Sequence, residues 1–302
     1  MRILIDISAK CGLPVSLSDD CKLVFSDDVE HMEAAARRTS DMAGLWCCNE
    51  TVEDKDIYYM YRDVHLRGDG DLFKEHGLRY DMTVIKPCMI GTEFVKTAGH
   101  YHPDRENTDV GYPEVYEVVH GVAHYIIQKR DGNTSQVSDC VMIEAREGDK
   151  VIIPAGYGHV TVNPVNIPLV MSNLVCCDFN SEYVMYRDLK GAAYYEVVDR
   201  DDVCRFVPNR NYGTVVPLRR LNARCVEEFG VCEDVSLYRS FKDWPERFDW
   251  LVNPQRYVEE MELLMDDPAC GYGLEICFGQ KGSSSERDSM RDNNRAFGSR
   301  QD

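Results

Sequence analysis

Between residues 57 and 175 the chain is a succession of short runs of β-branched, aromatic and other apolar residues, broken by Gly, Pro, Asp and Asn. The pattern predicts strands over 57–66, 82–85, 93–102, 115–119, 123–128, 141–144, 150–153, 160–162 and 169–175, and their close spacing demands an antiparallel barrel or sandwich. Arg67-Gly68-Asp69-Gly70-Asp71 reads as a turn. His120-Gly121 and Arg130-Asp131-Gly132-Asn133 are further turn signals, so residues 114–128 are expected to form a hairpin.

Chemistry concentrates in residues 97–159. Thr97-Ala98-Gly99-His100-Tyr101-His102 is followed by Tyr112-Pro113-Glu114-Val115-Tyr116 and, later, by Val151-Ile152-Ile153-Pro154-Ala155-Gly156-Tyr157-Gly158-His159. With a side-chain period of two, His100 and His102 share a face and stand about 6 to 7 Å apart, at ~3.3 Å per residue. Two such imidazoles can share one ion, or sit as polar residues on a solvated face. Glu114, Tyr116 and Val118 share one strand face and Val115, Glu117 and Val119 the other. If the first looks inward, Glu114 faces a cavity and Glu117 is solvated. His159, distant in sequence, opens the strand Val160-Thr161-Val162, as a closed antiparallel barrel would require. Three imidazoles and a carboxylate suit Fe²⁺, Mn²⁺, Zn²⁺ or Ni²⁺, and the absence of thiols from the set argues against a structural zinc site. His120 falls in a turn, and His124 is read as a surface or core residue.

Composition narrows the partners. A formal net charge of -18 over 302 residues excludes nucleic acid and anionic membrane surfaces as expected partners. No apolar run reaches transmembrane length, and Met1-Arg2-Ile3-Leu4-Ile5-Asp6 meets charge too early for a signal peptide, so a cytoplasmic protein is expected. The 13 cysteines, an odd count that includes the adjacent pairs Cys47-Cys48 and Cys176-Cys177, show no metal or redox spacing and are expected reduced.

Gly148-x5-Pro154-x-Gly156-x2-His159-x3-Asn163 fits the second cupin signature at every fixed position. The wording Thr-x-Gly-His-Tyr-His, then Pro-Glu-Val-Tyr, resembles the archaeal-type cupin glucose-6-phosphate isomerases. The likeness extends to Arg37-Arg38-Thr39-Ser40-Asp41-Met42-x-Gly44 and to Thr83-Val84-Ile85-Lys86-Pro87 with Gly91 following, and covers about residues 37–212. It implies an all-β cupin core, a double-stranded antiparallel β-barrel or jelly roll. It also implies a divalent metal, Fe²⁺ first, held by His100, His102, Glu114 and His159. Thr83, Thr97 and Gly99 match positions that hold the sugar phosphate, Tyr58 matches a phosphate-side tyrosine, and Tyr116 and Tyr183 match aromatic residues of the sugar pocket. Two departures stand out: the long stretch from Pro103 to Pro113, expected to form a loop over the site, and Val175 where some members place a tyrosine.

The implied reaction is aldose–ketose isomerisation of glucose 6-phosphate and fructose 6-phosphate, with Glu114, Tyr116 and Tyr183 as catalytic residues and a homodimer as the expected assembly. Hydroxyls and backbone N–H groups at Thr83, Thr97 and Gly99 could receive the phosphate without a basic field. Two rivals remain, a cupin dioxygenase that consumes oxygen and a non-catalytic sugar-binding cupin that binds without metal. Thr-x-Gly ahead of the histidines favours the isomerase.

Residues 1–50 are expected to form a lead-in with edge strands near Ile3-Leu4-Ile5 and Leu23-Val24-Phe25 and a helix over 29–40; 51–212 form the catalytic barrel, which ends in a hairpin of Tyr194-Tyr195-Glu196-Val197-Val198 and Cys204-Arg205-Phe206-Val207-Pro208. Residues 213–279 form a helical appendage, with one short helix from Pro245 and another opened by Asn253-Pro254. Residues 280–302, small, polar and charged, read as a disordered tail.

Overall fold

The computed structural model describes residues 3–47, 53–132 and 134–266. The expected tail, 280–302, lies outside them. Two sheets face one another. The first has six antiparallel strands: β1 (Ala35–Arg38), β2 (Asp56–Tyr61), β3 (Leu78–Ile85), β4 (Glu114–His120), β7 (Lys150–Ile153) and β9 (Leu169–Cys176), in the spatial order β7-β4-β9-β3-β2-β1. The second is built from β5 (Val122–Arg130), β6 (Val137–Arg146), β8 (Tyr157–Val162) and β10 (Arg219–Asn222), ordered β8-β5-β6-β10, with β10 parallel to β6. Beyond β8, residues 96–102 add a broken edge through the bridges Lys96↔Val162 and His100↔His159. From β3 to β9 the chain therefore passes repeatedly from one sheet to the other. That wrapping is a jelly roll, as the cupin resemblance implies.

The strands form where they do because both faces of most of them are buried. Every residue of β8 and β9 is buried, and β4 is buried from Glu114 to Val119. Inward side chains such as Tyr125, Ile127 and Met171 pack between the sheets. Outward ones, including Tyr80, Val84, Val115 and Leu174, share a second core with Phe229, Tyr238, Phe241 and Trp250 from the C-terminal segment. That segment carries α1 (Leu237–Asp243), a 3-10 turn over Pro245–Leu251, the turn Pro254–Arg256 and α2 (Val258–Leu263). The hairpin of Tyr194–Val198 with Cys204–Pro208 is present.

Four expectations are corrected. Residues 29–40 are not a helix: Val29–Glu30 pairs with His65–Leu66, and β1 pairs with β2. The alanines there favour a helix only weakly, and an available sheet edge overrides them. The N-terminal helix that does form is the single turn Ser8–Cys11. Residues 114–128 do not form a hairpin, because β4 and β5 lie in different sheets. Only Gly121 separates them, fewer than the two residues a tight hairpin needs. Gly121 has φ +91, and a Cβ would come within 2.8 Å of the Pro168 carbonyl oxygen. The strand expected over 93–102 is regular only at Glu93–Phe94. Gly99, at φ +73, then turns the backbone away from extended geometry. Finally, Glu117 is not solvated. It is 2 % exposed, lies 3.3 Å from Lys150 Nζ, and accepts the Leu237 N–H at 2.8 Å, because α1 covers the outer face of β4.

Candidate metal centre

The cluster is assembled by three pieces of chain. His100 and His102 stand on the broken edge 96–102, which two backbone hydrogen bonds lock to β8: His100 N–H donates to the His159 carbonyl at 3.2 Å, and His159 N–H donates back at 3.0 Å. His159 is therefore beside His100 by sheet pairing, and their ring centres are 4.5 Å apart. Glu114 opens β4, in register with Ile153 on one side and Val175 on the other. One ligand atom from each of His100, His102, Glu114 and His159 falls within 4.8 Å of the others.

Glu114 is the centre of the polar contacts. Its Oε2 lies 3.5 Å from His102 Nε2 and 3.3 Å from His159 Nε2, and accepts the Tyr116 hydroxyl at 3.0 Å. Its Oε1 accepts from Asn173 Nδ2 at 2.7 Å. Burial by itself would raise the Glu114 pKa. The hydrogen bond from His159, the neighbouring imidazoles, and the Tyr116 hydroxyl outweigh it and hold the carboxyl below its usual range. Burial dominates at the imidazoles: it pushes His102 down to about 4 against the pull of Glu114, and pushes His100 well below the usual histidine value, with His159, His102 and Arg62 adding to the effect. Tyr116 is raised far above an ordinary phenol, by burial first and Glu114 second.

These residues fit a divalent ion. The His102 Nδ1 lies 2.9 Å from the Tyr112 carbonyl oxygen, an acceptor, so Nδ1 carries the proton and the Nε2 lone pair faces the cluster. His100 Nε2 is only 3.2 Å from His102 Nε2, and neutral imidazoles at that spacing offer lone pairs rather than charge. Three imidazoles and one ionised carboxylate form a nitrogen and oxygen donor set with no thiolate, suited to a divalent transition metal.

A pocket between the sheets opens on this cluster. Among its walls are Tyr58, Thr83, Thr97, His100, His102, Glu114, Tyr116 and Tyr183. Tyr58 accepts the Ala98 N–H at 3.3 Å. Thr97 Oγ1 accepts the Thr161 N–H at 2.9 Å, which leaves its hydroxyl proton available to a ligand. Tyr183 has its ring centre 5.4 Å from that of His100. His159 is 1 % exposed and lies against Tyr116 and His100. Gly99 is packed under the site: a Cβ there would come within 2.4 Å of Val160 Cγ1. The pocket walls also include Met60, Arg62, Arg79, Asp81, Met171, Asn173, Val175 and Phe179. A wider cleft lined by Lys129, Tyr157, Arg219 and Met261 contains none of the four clustered residues.

Several of these residues escape the sequence reading. Asn173, with Ser172, interrupts an apolar strand run, which is the signal that could have marked it. Arg79 and Asp81 lie four and two residues before Thr83 on the same face of β3, so starting that strand at Met82 hides them. Phe179, packed on both His102 and Tyr112, carries no sequence signal. The long loop after His102 forms a small hairpin, with Asp104 bridged to Gly111. Arg105 ties it to the C-terminal segment through the Val252 carbonyl at 3.0 Å and Asn253 Oδ1 at 3.1 Å.

The curated glucose-6-phosphate isomerase of Thermococcus litoralis is 28% identical over 161 residues, 51% of this chain and 76% of its own length. Those of Pyrococcus horikoshii and Thermococcus kodakarensis are each 27% identical, over 51% and 57% of this chain and 76% and 84% of their own lengths. Among solved structures, oxalate decarboxylase from Bacillus subtilis aligns with a TM-score of 0.30 and 18% identity, covering 44% of this chain and 28% of that one. That score is too low to bear on the fold, which rests on the strand order. The family model described as glucose-6-phosphate isomerase (GPI) matches residues 36–212. That span is more than half of the chain and takes in all four residues of the cluster, so the chain belongs to the glucose-6-phosphate isomerase family.

Proposed function

We propose that this protein interconverts glucose 6-phosphate and fructose 6-phosphate, with a divalent metal, Fe²⁺ first among the candidates, held by His100, His102, Glu114 and His159. The observation that carries the reading is the Glu114 carboxylate, buried, ionised, and shared by two imidazoles, a tyrosine hydroxyl and an amide at the wall of one pocket. A bound divalent ion supplies Lewis-acid polarisation of adjacent sugar oxygens. The protein's own groups do the rest. Glu114 is the one carboxylate in the cluster, and it takes or returns a proton at C1 or C2 while Asn173 fixes its orientation. The Tyr116 hydroxyl, bonded to Glu114, keeps its proton across the physiological range and serves as a hydrogen-bond donor at the site. Tyr183 orients the hydroxyls of the sugar. Tyr58, Thr83, Thr97 and the Gly99 N–H hold the phosphate. The protein is taken to act in the cytoplasm as a homodimer, on a phosphosugar and with neither nucleic acid nor membrane as partner.

The test is a coupled assay of fructose 6-phosphate conversion, run on the protein as purified, after chelation, and after Fe²⁺, Mn²⁺ or Zn²⁺ is restored. Activity is expected to vanish on chelation and return with metal. Full activity in the demetallated protein would overturn the reading, and oxygen uptake in place of isomerisation would assign a dioxygenase. His159→Ala is expected to fold, to lose metal, and to lose at least about 10²-fold in rate.

A further inference from the structure

One wall of the pocket carries a charge arrangement that the metal cluster does not use. β3 places Arg79, Asp81 and Thr83 on the same face, and all three line the pocket. Arg62, just past the end of β2, joins them. The Asp81 carboxylate is 4 % exposed and crowded with donors. Arg79 Nε lies 2.8 Å from Oδ1 and 3.0 Å from Oδ2, Arg79 Nη2 lies 2.9 Å from Oδ2, Arg62 Nη1 lies 3.0 Å from Oδ2, and the Asp63 N–H reaches Oδ1 at 2.9 Å. One carboxylate is thus shared by two guanidinium groups.

The surplus is one positive charge, turned toward the cavity of a chain whose formal net charge is -18. Burial opposes the charged form of Arg79, and the bonds and charge of Asp81, with Glu114 adding, restore it. Donors remain free. Among the described residues Arg79 Nη1 has no hydrogen-bond partner, and Arg62 Nη2 reaches only the Met60 sulfur, at 3.8 Å. A pair built only to brace the fold would need one arginine on Asp81. Two, with unused N–H groups on a pocket wall, form a preset fork for an oxyanion.

We propose that Arg62 and Arg79, aligned by Asp81, bind the phosphate of the substrate and set the preference of the pocket for a phosphorylated sugar over a neutral one. The proposal rests on the reading that the substrate is a phosphosugar, and it adds the guanidinium donors that the threonine hydroxyls lack. Arg62 and Arg79 act here as specificity-determining residues, and Asp81 as the residue that positions them.

The experiment uses the full-length, metal-loaded protein. Inorganic phosphate is titrated calorimetrically into wild type, Arg62→Gln, Arg79→Gln and Arg79→Lys, with metal content measured on each, and the same proteins are assayed with fructose 6-phosphate. Each Gln variant is expected to weaken phosphate by about tenfold or more, to raise KM for fructose 6-phosphate by a similar factor with kcat changed less, and to retain its metal. Arg79→Lys, which keeps the charge and loses the fork, is expected to recover part of the phosphate affinity. Arg62 is 40% exposed along its side chain, so its replacement keeps the test open if Arg79→Gln fails to fold. Phosphate affinity unchanged within about twofold in the Arg62 and Arg79 variants, or no phosphate binding by wild type, would overturn the proposal. The two readings fail separately. Arginine-dependent phosphate binding without isomerisation removes the proposed reaction and keeps the fork. Isomerisation with a KM indifferent to both arginines removes the fork alone.

Discussion

Gly99 and Glu117 show how single positions around the site are constrained by what lies behind them. Gly99 sits at φ +73 with Val160 and Tyr186 against its Cα, so an added methyl would meet packed side chains at 2.4 and 2.6 Å. Gly99→Ala is expected to cost about 2 kcal/mol, through backbone strain and overpacking together. A melting experiment should show a fall of about 5 °C. Glu117 is held in its place by Lys150 and the Leu237 N–H, yet burial still raises its pKa to about 7. It therefore keeps a proton in the folded protein that the unfolded chain releases near 4.5. The stability this contributes is complete below the unfolded value and is lost as pH rises from there through about 7. Urea denaturation across that interval should show stability declining in wild type, and a shallower decline in Glu117→Gln. An identical slope in both would assign the pH dependence to other groups.

At the scale of elements, the site depends on a segment that is not a regular strand. Residues 96–102 pair with β8 through isolated bridges and the Thr97–Thr161 bonds, with no continuous ladder; the backbone bends at Gly99, and His100 and His102 stand 3.2 Å apart at Nε2. The next loop then fixes His102 through the Tyr112 carbonyl, and Arg105 fastens that loop to Val252 and Asn253. Arg105→Ala should accordingly loosen the support of His102 and weaken metal binding by up to about tenfold, with the fold intact. A metal titration followed by calorimetry measures it, and unaltered affinity would show that the loop holds His102 without this tether. β4 is the other decisive element. Its inner face presents Glu114 and Tyr116 to the pocket, while its outer face presents Val115, Glu117 and Val119 to the C-terminal segment. A strand buried on both sides loses the alternation of polar and apolar residues by which the inward face is usually recognised.

For the molecule as a whole, the C-terminal segment and the jelly roll share one core: Trp250 is fully buried, stacks on Phe229 at 5.0 Å and donates to the Phe229 carbonyl at 3.0 Å, within the cluster that includes Tyr80 and Leu174 of the first sheet. Metal at the cluster should stabilise this unit, since an ion that binds only the folded chain contributes about 2.7 kcal/mol at a hundred times its Kd. Thermal melts with added metal and with chelator should differ in that direction, and coincident curves would mean that no ion binds the folded protein. The residue pattern alone carried much of this. Period-two alternation and turn residues marked the strands, and the fixed spacing around His100, His102, Glu114 and His159 marked the four residues that the fold gathers into one cluster, because both are local properties of residue type and order. Other features depended on which surfaces meet. The edge strand in place of a helix at residues 35–38, the passage of β4 and β5 into different sheets, the burial of Glu117 under α1, and the pairing of Arg62 and Arg79 on Asp81 each join residues whose relation exists only after the chain has folded. Local propensity differences amount to a fraction of a kcal/mol per residue, and tertiary burial and ion pairing outweigh them wherever they compete.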